Sequence, residues 1–200
     1  MQATDTYLTI ARPAEFVSRE RGSRFLAYAY PAESVEQAEE HVGELRRRFH
    51  DATHHCYAWR LGADGERTRI NDDGEPSGSA GRPIMGQILS AGVTDVMVVV
   101  VRWFGGTKLG VPGLIKAYRE AAAGVLEACE VVERTVDADM IVEFPFGSLD
   151  AVLKAARDSG ARVAEQHFDN TCRIRFTVRL SGEAVLRERL SRVNGVTIKE

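Results

Sequence analysis

The chain of 200 residues has few of the features that define several classes of protein. Its three cysteines, Cys56, Cys129 and Cys172, are widely spaced and form no CxxC pair. This set of thiols excludes a disulfide framework and a zinc ribbon, and it is typical of a reducing compartment. No apolar run approaches the roughly 18 residues of a membrane span, and the first residues show no secretory pattern. We therefore expect a cytoplasmic protein with no membrane partner.

Positive charge is also scarce. The net charge is −3 at pH 7, and only four of the 26 basic residues are lysine. Such a chain has no global attraction for nucleic acid, so phosphate binding would need a local cluster of Lys or Arg. The apolar fraction of 44% and the charged fraction of 28% are ordinary for a globular protein.

The first two thirds of the chain alternate between strand and helix patterns. Ser34, with Gln37 three residues later, predicts a capped helix that runs to about Phe49. Residues 96–101 are almost wholly apolar, which predicts a strand buried on both faces. The remaining predicted strands are 16–17, 24–30, 55–61 and 67–71, and the remaining predicted helices are 83–91 and 114–129.

The last third of the chain has the order β-α-β-β-α-β. Strands are predicted at 136–144, 161–167, 173–180 and 196–199, and helices at 149–159 and 183–193. This is the ferredoxin-like arrangement. The sequence therefore predicts an α+β protein of two domains, residues 1–134 and 135–200, with the boundary near Arg134–Thr135.

A glycine-rich basic segment is the strongest local pattern in the chain. A buried strand that leads into glycines and then into a helix is a favourable geometry for an anion or nucleic-acid site, because backbone N–H groups and the helix end face the ligand. The alternative is a tight strand–helix turn with Trp103 and Phe104 packed beneath it. The segment is neither a P-loop nor a Rossmann loop. The predicted site residues are Arg102, Gly105, Gly106, Lys108, Gly110, Gly113 and Lys116.

Several motifs in residues 23–118 together resemble the IMPACT/YigZ family. They are Ser23-Arg24-Phe25, the segments ATHHCYA (52–58), DDGEPSGSAG (72–81) and GQILSAGVTDVMVVVVRWFGGTKLG (86–110), and LIKAY (114–118). The resemblance implies an N-terminal domain like the second domain of ribosomal protein S5. It also implies a C-terminal domain like the fifth domain of elongation factor G.

The same resemblance implies a role in translation. Eukaryotic relatives dampen an amino-acid-starvation response by occupying the activator of a translation-initiation kinase. They carry an additional N-terminal domain that binds this partner, so the same partner cannot simply be assigned to this chain. The expected partners are RNA or the ribosome, or a translation-factor protein.

Two polar clusters raise the possibility of catalysis. Asp72-Asp73-Gly74-Glu75 fails the spacing of an EF-hand, and Asp-Gly is common turn chemistry, so the segment is interpreted as an interaction loop or a structural loop. His54 and His55 are neighbours on a predicted strand and point to opposite faces, so they cannot easily share one metal ion. We expect no metal site and no cofactor.

Arginines alternate with apolar residues on the last long strand. Arg173, Arg175 and Arg179 should lie on the open face of the sheet, where they form a secondary binding face for nucleic acid. Alternatively, they pair with acidic residues of the neighbouring strand in a charge ladder.

The leading hypothesis is a non-catalytic binding protein of translation or its regulation that contacts RNA or the ribosome through the glycine-rich segment. One alternative is a hydrolase that acts on a phosphate-containing ligand with His54, His55, Asp72 and Asp73. Another is a protein-binding regulatory adaptor.

Overall fold

The structure is a computed structural model that describes residues 5–169 and 171–199. The chain divides into two compact units. We call Tyr7–Arg134 the N-terminal unit, and residues 135–199 with Asp5 and Thr6 the C-terminal unit. Each unit contains an antiparallel sheet with helices packed on it, which confirms the α+β class.

The first part of the chain, through β7, forms seven strands and three helices. The elements are β1 (Thr6–Ile10), β2 (Ala14–Glu20), β3 (Ser23–Pro31), α1 (Val35–Arg48), β4 (His54–Leu61), β5 (Arg67–Asn71), α2 (Gly81–Ala91), β6 (Val96–Trp103), α3 (Gly110–Glu127) and β7 (Val131–Thr135). Strands β1 and β7 pair as a separate two-stranded sheet that was not predicted from the sequence.

The main sheet of this unit has the order β2-β3-β6-β4-β5. Helix α1 covers one face, and helices α2 and α3 cover the other. Val96–Val101 of the central strand β6 are fully buried, as predicted. Successive side chains of a strand alternate between faces. Arg102 therefore points toward α2 and α3, whereas Trp103 lies on the α1 face.

Helix α1 begins at a reciprocal cap. The Ser34 hydroxyl accepts a bond from the Gln37 backbone N–H at 3.3 Å, and the Gln37 side chain accepts one from the Glu33 backbone N–H at 2.8 Å. The predicted capping serine is confirmed, although the glutamine bonds one residue earlier than in the usual box.

Helices α2 and α3 begin earlier than the sequence indicated. The sequence predicts their starts at Pro83 and Leu114, but they begin at Gly81 and Gly110. Both helices carry a proline in the first turn, where the missing N–H has no intrahelical partner to lose. The pattern of apolar residues alone leaves Gly81, Gly110 and Pro112 in the preceding loops.

The C-terminal unit is ferredoxin-like. Its elements are β8 (Asp137–Phe144), a short 3₁₀ turn (Phe146–Ser148), α4 (Leu149–Asp158), β9 (Arg162–Phe168), β10 (Cys172–Arg179), α5 (Leu180–Ser191) and β11 (Thr197–Lys199). The sheet order is β11-β8-β10-β9, and the core residues of β8 and β10 pack with α4 and α5. The other face of the sheet carries the charged residues of these strands.

Within the part of the chain that the structure describes, no helix is both long and apolar enough to cross a membrane.

Candidate functional site

The glycine-rich loop, residues 104–109 between β6 and α3, lies at the protein surface. Phe104 is 48% exposed, and Lys108 is exposed as well. Gly105 is required by close packing, because a Cβ atom there would lie 1.9 Å from the carbonyl carbon of Gly22. The Gly105 N–H also donates to the Ser23 hydroxyl at 3.2 Å. These contacts fix the base of the loop and leave its tip in solvent.

The start of α3 leaves backbone donors free of side-chain caps. Leu109 occupies the N-cap position and supplies no capping side chain. Gly110 has a φ of 68°, and Gly113 lies within the first turn, where a Cβ atom would meet that of Leu109 at 3.1 Å. The first N–H groups of a helix have no intrahelical acceptor, and the helix end is partly positive. The loop therefore combines Lys108 with a helix N-terminus.

Lys116 is exposed on α3, where it lies 3.6 Å from Glu120. This exposed i,i+4 pair is weak and leaves the ammonium accessible to another anion. Among the described residues, Lys108 forms no ion pair.

Arg102 does not lie with these exposed cations, contrary to the prediction that grouped it with Lys108 and Lys116 in one anion site. Only 4% of the residue is exposed. Its guanidinium donates to Glu75 Oε1 at 2.5 Å and to the Ser23 hydroxyl at 3.3 Å. The alternation of β6 directs this arginine inward, and burying it without a carboxylate partner would be very unfavourable. Arg102 is therefore part of the core.

A polar cluster surrounds this buried pair. The Tyr118 hydroxyl donates to Glu75 Oε1 at 2.8 Å, and the Cys56 sulfur lies 3.3 Å from the Tyr118 hydroxyl oxygen. His54 Nε2 lies 3.7 Å from Glu75. We call Glu75, Arg102, Tyr118, Cys56 and His54 the buried polar cluster.

Burial raises the pKa of the Cys56 thiol and of the Tyr118 phenol above their ordinary values. Both groups therefore stay protonated at neutral pH. A nucleophilic cysteine needs the opposite shift, toward the thiolate. The cluster is arranged to hold Glu75 and Arg102 in place.

The side chain of Asp72 caps the start of helix α2, although Asp72 lies in the loop that precedes the helix. Its carboxylate accepts bonds from the backbone N–H groups of Gly78 at 2.8 Å, Ala80 at 3.0 Å and Gly81 at 2.8 Å. Burial alone would raise the pKa of Asp72, but these three bonds and Arg82 outweigh it and lower the pKa. The carboxylate therefore stabilises the start of the helix.

Asp73 ties the acidic loop to α1 and β4. Its carboxylate accepts from Arg46 at 2.6 Å and from the His55 backbone N–H at 2.7 Å, while its carbonyl oxygen lies 2.8 Å from His54 Nδ1. The backbone of Asp73 is left-handed, with φ of 41°, and Gly74 follows at 87°. Burial lowers the pKa of His55, which favours the neutral ring.

The residues of the alternative catalytic set, His54, His55, Asp72 and Asp73, thus lie near one another. Each of them, however, forms a hydrogen bond through its side chain or backbone that holds the fold together. The two histidines point to opposite faces of β4, as expected from a strand. In the described ranges, no group of three or more His, Cys, Asp or Glu side chains is placed to hold a metal ion. As an interaction loop, Asp72-Asp73-Gly74-Glu75 offers less than expected, because Glu75 is buried and Asp72 faces the α2 backbone.

The three arginines of β10 lie at the open face of the C-terminal sheet. Arg175 lies 3.3 Å from both Asp139 and Glu165. The register places Arg173 opposite Glu143 and Arg179 opposite Asp137. Those two acids instead pair with Lys199 and Arg162. The charge ladder is therefore partial.

One aromatic contact beside the loop was not predicted from the sequence. The Arg24 guanidinium lies over the Trp103 ring, 4.8 Å from its centroid, and Arg19 is the neighbour of Arg24 on β2. The register β2-β3-β6 brings these side chains into one row on the α1 face. Knowing which strands pair would have been necessary to find this row, because Arg19 and Trp103 are far apart in the sequence.

The fold and site together define a class: a two-unit α+β protein with an exposed glycine-rich loop at the end of its central strand and a buried ion pair behind it. The model of the Impact N-terminal domain matches residues 21–126. The chain belongs to the Impact family, which confirms the resemblance drawn from the motifs.

Individual relatives agree with this assignment. The chain is 40% identical to "IMPACT family member YigZ" of Escherichia coli over 116 residues, a match that covers 57% of each chain. It is 31% identical to "IMPACT family member YvyE" of Bacillus subtilis over 163 residues, or 82% of this chain and 75% of the relative. The crystal structure of a hypothetical protein, 28% identical, matches with a TM-score of 0.76 over 98% of this chain and 97% of that one.

Proposed function

We propose that this protein is a binding protein of translation or its regulation, and that it contacts RNA or the ribosome through the glycine-rich loop. The observation that carries the proposal is the exposure of Phe104 and Lys108 beside an uncapped helix N-terminus. The charges of the buried polar cluster, in contrast, are engaged within the fold.

The loop has the two kinds of group that bind a single strand without sequence preference. Lysine and helix N–H groups contact phosphates, while an exposed ring gives bases a stacking surface. Phe104 supplies such a ring, and Arg24 stacked on Trp103 supplies a second planar surface. Because the net charge is negative, binding depends on these local groups.

Family membership supports the connection with translation. The resemblance to the IMPACT/YigZ family implies a role in translational control, and such a role would place this chain in the cytoplasm with RNA, the ribosome or a translation factor as partner. The open face of the C-terminal sheet is proposed as a secondary surface, on which Arg173 and Arg179 remain exposed.

The test is binding of a fluorescent oligouridylate, followed by anisotropy over a series of salt concentrations. Lys108→Ala with Lys116→Ala should weaken binding and reduce the salt slope by up to about two phosphate contacts, at roughly 0.7 each. Lys154→Ala is the matched control, because Lys154 is an exposed lysine on α4 in the other unit. Phe104→Ala should weaken binding without changing the slope.

An unchanged affinity and slope in the folded double variant would remove the loop from the interface. Co-sedimentation with ribosomes at low and high salt, using the same variants, extends the test to the assembled particle. Arg102 is left intact, because its replacement would disturb the core.

A further inference from the structure

Helices α2 and α3 leave an open groove on the surface of the N-terminal unit. The groove encloses about 560 Å³, which falls within the roughly 300–1,000 Å³ of small-molecule sites. The side chains that matter for binding are Arg82, Gln87, Ser90 and Arg119, with Gly86 and Ile115 between them. We call this the α2–α3 groove.

The groove has an excess of positive charge. Arg82 and Arg119 are exposed, and neither forms an ion pair with any residue in the described parts of the chain. Among the described residues, no acidic side chain lines the groove. Of the carboxylates nearby, Asp72 accepts three backbone bonds, and Glu120 lies 3.6 Å from Lys116. Two guanidinium groups on one groove present planar donors that suit phosphate oxygens.

Gly86 gives an independent reason to expect a ligand. It lies in the interior of α2, where glycine is less favourable than alanine by about 1 kcal/mol. Its φ is not positive, and a Cβ atom built on it meets nothing within 4 Å. Neither the backbone nor the packing requires this glycine. Its effect is to leave open space at this point of the groove lining, about one helical turn from Arg82.

We propose that the α2–α3 groove is an anion site that binds a phosphate-bearing ligand, with Arg82 and Arg119 on the phosphate and Gly86 leaving room for it. Gln87 and Ser90 supply further hydrogen-bonding groups, and Ile115 supplies an apolar wall. The site does not include Phe104, Lys108 or Lys116, so it stands apart from the function proposed for the loop.

Calorimetric titration of the full chain with inorganic pyrophosphate tests the site. Replacing both arginines, Arg82→Gln with Arg119→Gln, should weaken pyrophosphate binding at least about tenfold, because charged hydrogen bonds are lost. Arg47→Gln is the matched control, since Arg47 is exposed on α1, on the other side of the sheet, and should leave binding unchanged.

The glycine gives the sharper test. Gly86→Ala should raise the midpoint of urea unfolding and weaken pyrophosphate binding, and Gly86→Leu should abolish binding. Gly43→Ala, within α1, should stabilise the protein without affecting pyrophosphate. If Gly86 served only the fold, its substitution would lower the stability of the protein. Full pyrophosphate binding by a folded Gly86→Leu variant would overturn the proposal.

Competition identifies the source of the phosphate. Displacement of pyrophosphate by oligouridylate would assign the groove to a nucleic-acid backbone, whereas displacement by ATP alone would assign it to a free nucleotide. Both outcomes support a phosphate site, and no pyrophosphate binding by the unmodified chain overturns it. The Lys108→Ala variant, which keeps the Lys116–Glu120 pair intact, should keep pyrophosphate binding even if the proposal for the loop fails.

Discussion

The N-terminal unit buries an ion pair and a phenol between its sheet and two helices, whereas no charged side chain is buried among the described residues of the C-terminal unit. The charged residues of its long strands lie instead on the open sheet face, where Arg175 meets Asp139 and Glu165. The two units therefore place their charges differently: one buries an ion pair beneath its helices, and the other keeps the charges of its strands on an open face.

The contrast indicates that the N-terminal unit keeps a fixed geometry at some cost in stability. A buried ion pair is seldom more stable than well-packed apolar residues, but it permits few alternative arrangements. Here Glu75 connects the acidic loop to Arg102, two residues before exposed Phe104. We infer that the buried polar cluster holds the base of the glycine-rich loop in position.

The experiment with the largest expected effect on the contrast between the two units is removal of the whole N-terminal unit. We expect residues 135–200 to fold alone, because their sheet and two helices enclose their own apolar core. Thermal unfolding of this fragment, followed by circular dichroism, should be cooperative. A fragment that melts without a transition would show that the apolar core depends on the rest of the chain.

The next largest effect should come from Glu75→Ala, which leaves Arg102 buried without a partner. Breaking a buried pair in this way costs about 3–5 kcal/mol. Urea unfolding should show a loss in that range for the N-terminal unit.

A second substitution separates the charge from the packing. In the double variant Glu75→Gln with Arg102→Met, no unpaired charge remains, so most of the lost stability should return. A double variant as unstable as Glu75→Ala would indicate that hydrogen bonds to Tyr118 and Ser23, rather than the ion pair, dominate.

Sequence patterns predicted most of the fold because the buried residues of a helix or strand recur at a regular spacing in the sequence. The run at Val96–Val101 and the alternation of Arg173–Val178 each fixed a strand and its buried face. Strands β1 and β7 were missed because each is short and pairs with a segment far away in the chain. Such pairings have no local pattern.

The candidate site was less predictable for a related reason. Lys108 and Phe104 could be placed at the surface only once the loop geometry was known, and Arg102 looked equally available in the sequence. Its inward direction follows from the phase of β6, but its partner Glu75 is 27 residues away. Charge alone cannot distinguish a buried cation from an exposed one.

Asp72 should have a smaller effect than Glu75, because it satisfies backbone groups without neutralising a buried charge. Asp72→Ala removes the cap of α2 and should cost about 1–2 kcal/mol. Asp72→Asn tests the charge. The pKa of Asp72 is lower in the folded protein than in the unfolded chain. Its ionic contribution should therefore be complete above about pH 4 and be lost as the pH falls through the folded pKa.

Urea unfolding between pH 7 and pH 3 would check this dependence. The stability difference between the unmodified protein and Asp72→Asn should narrow at the acidic end. A constant difference would mean that the geometry of the cap, and not its charge, stabilises α2.

The smallest effect should come from the open face of the C-terminal unit. Arg175 and Asp139 lie 3.3 Å apart, but their side chains are 42% and 53% exposed. Water and salt weaken such a pair, so Asp139→Ala should change the free energy of unfolding by less than about 1 kcal/mol. Glu165 also keeps Arg175 partly neutralised at 3.3 Å.

A cycle of Asp139→Ala, Arg175→Ala and the double variant, measured by urea unfolding at low and high salt, isolates the pair. Its coupling should be small and should shrink further with salt. A coupling as large as that of Arg102 with Glu75 would contradict the contrast between the two units. A weak coupling would mean that Arg175 can exchange its protein partners for phosphate at little cost, as a binding face requires.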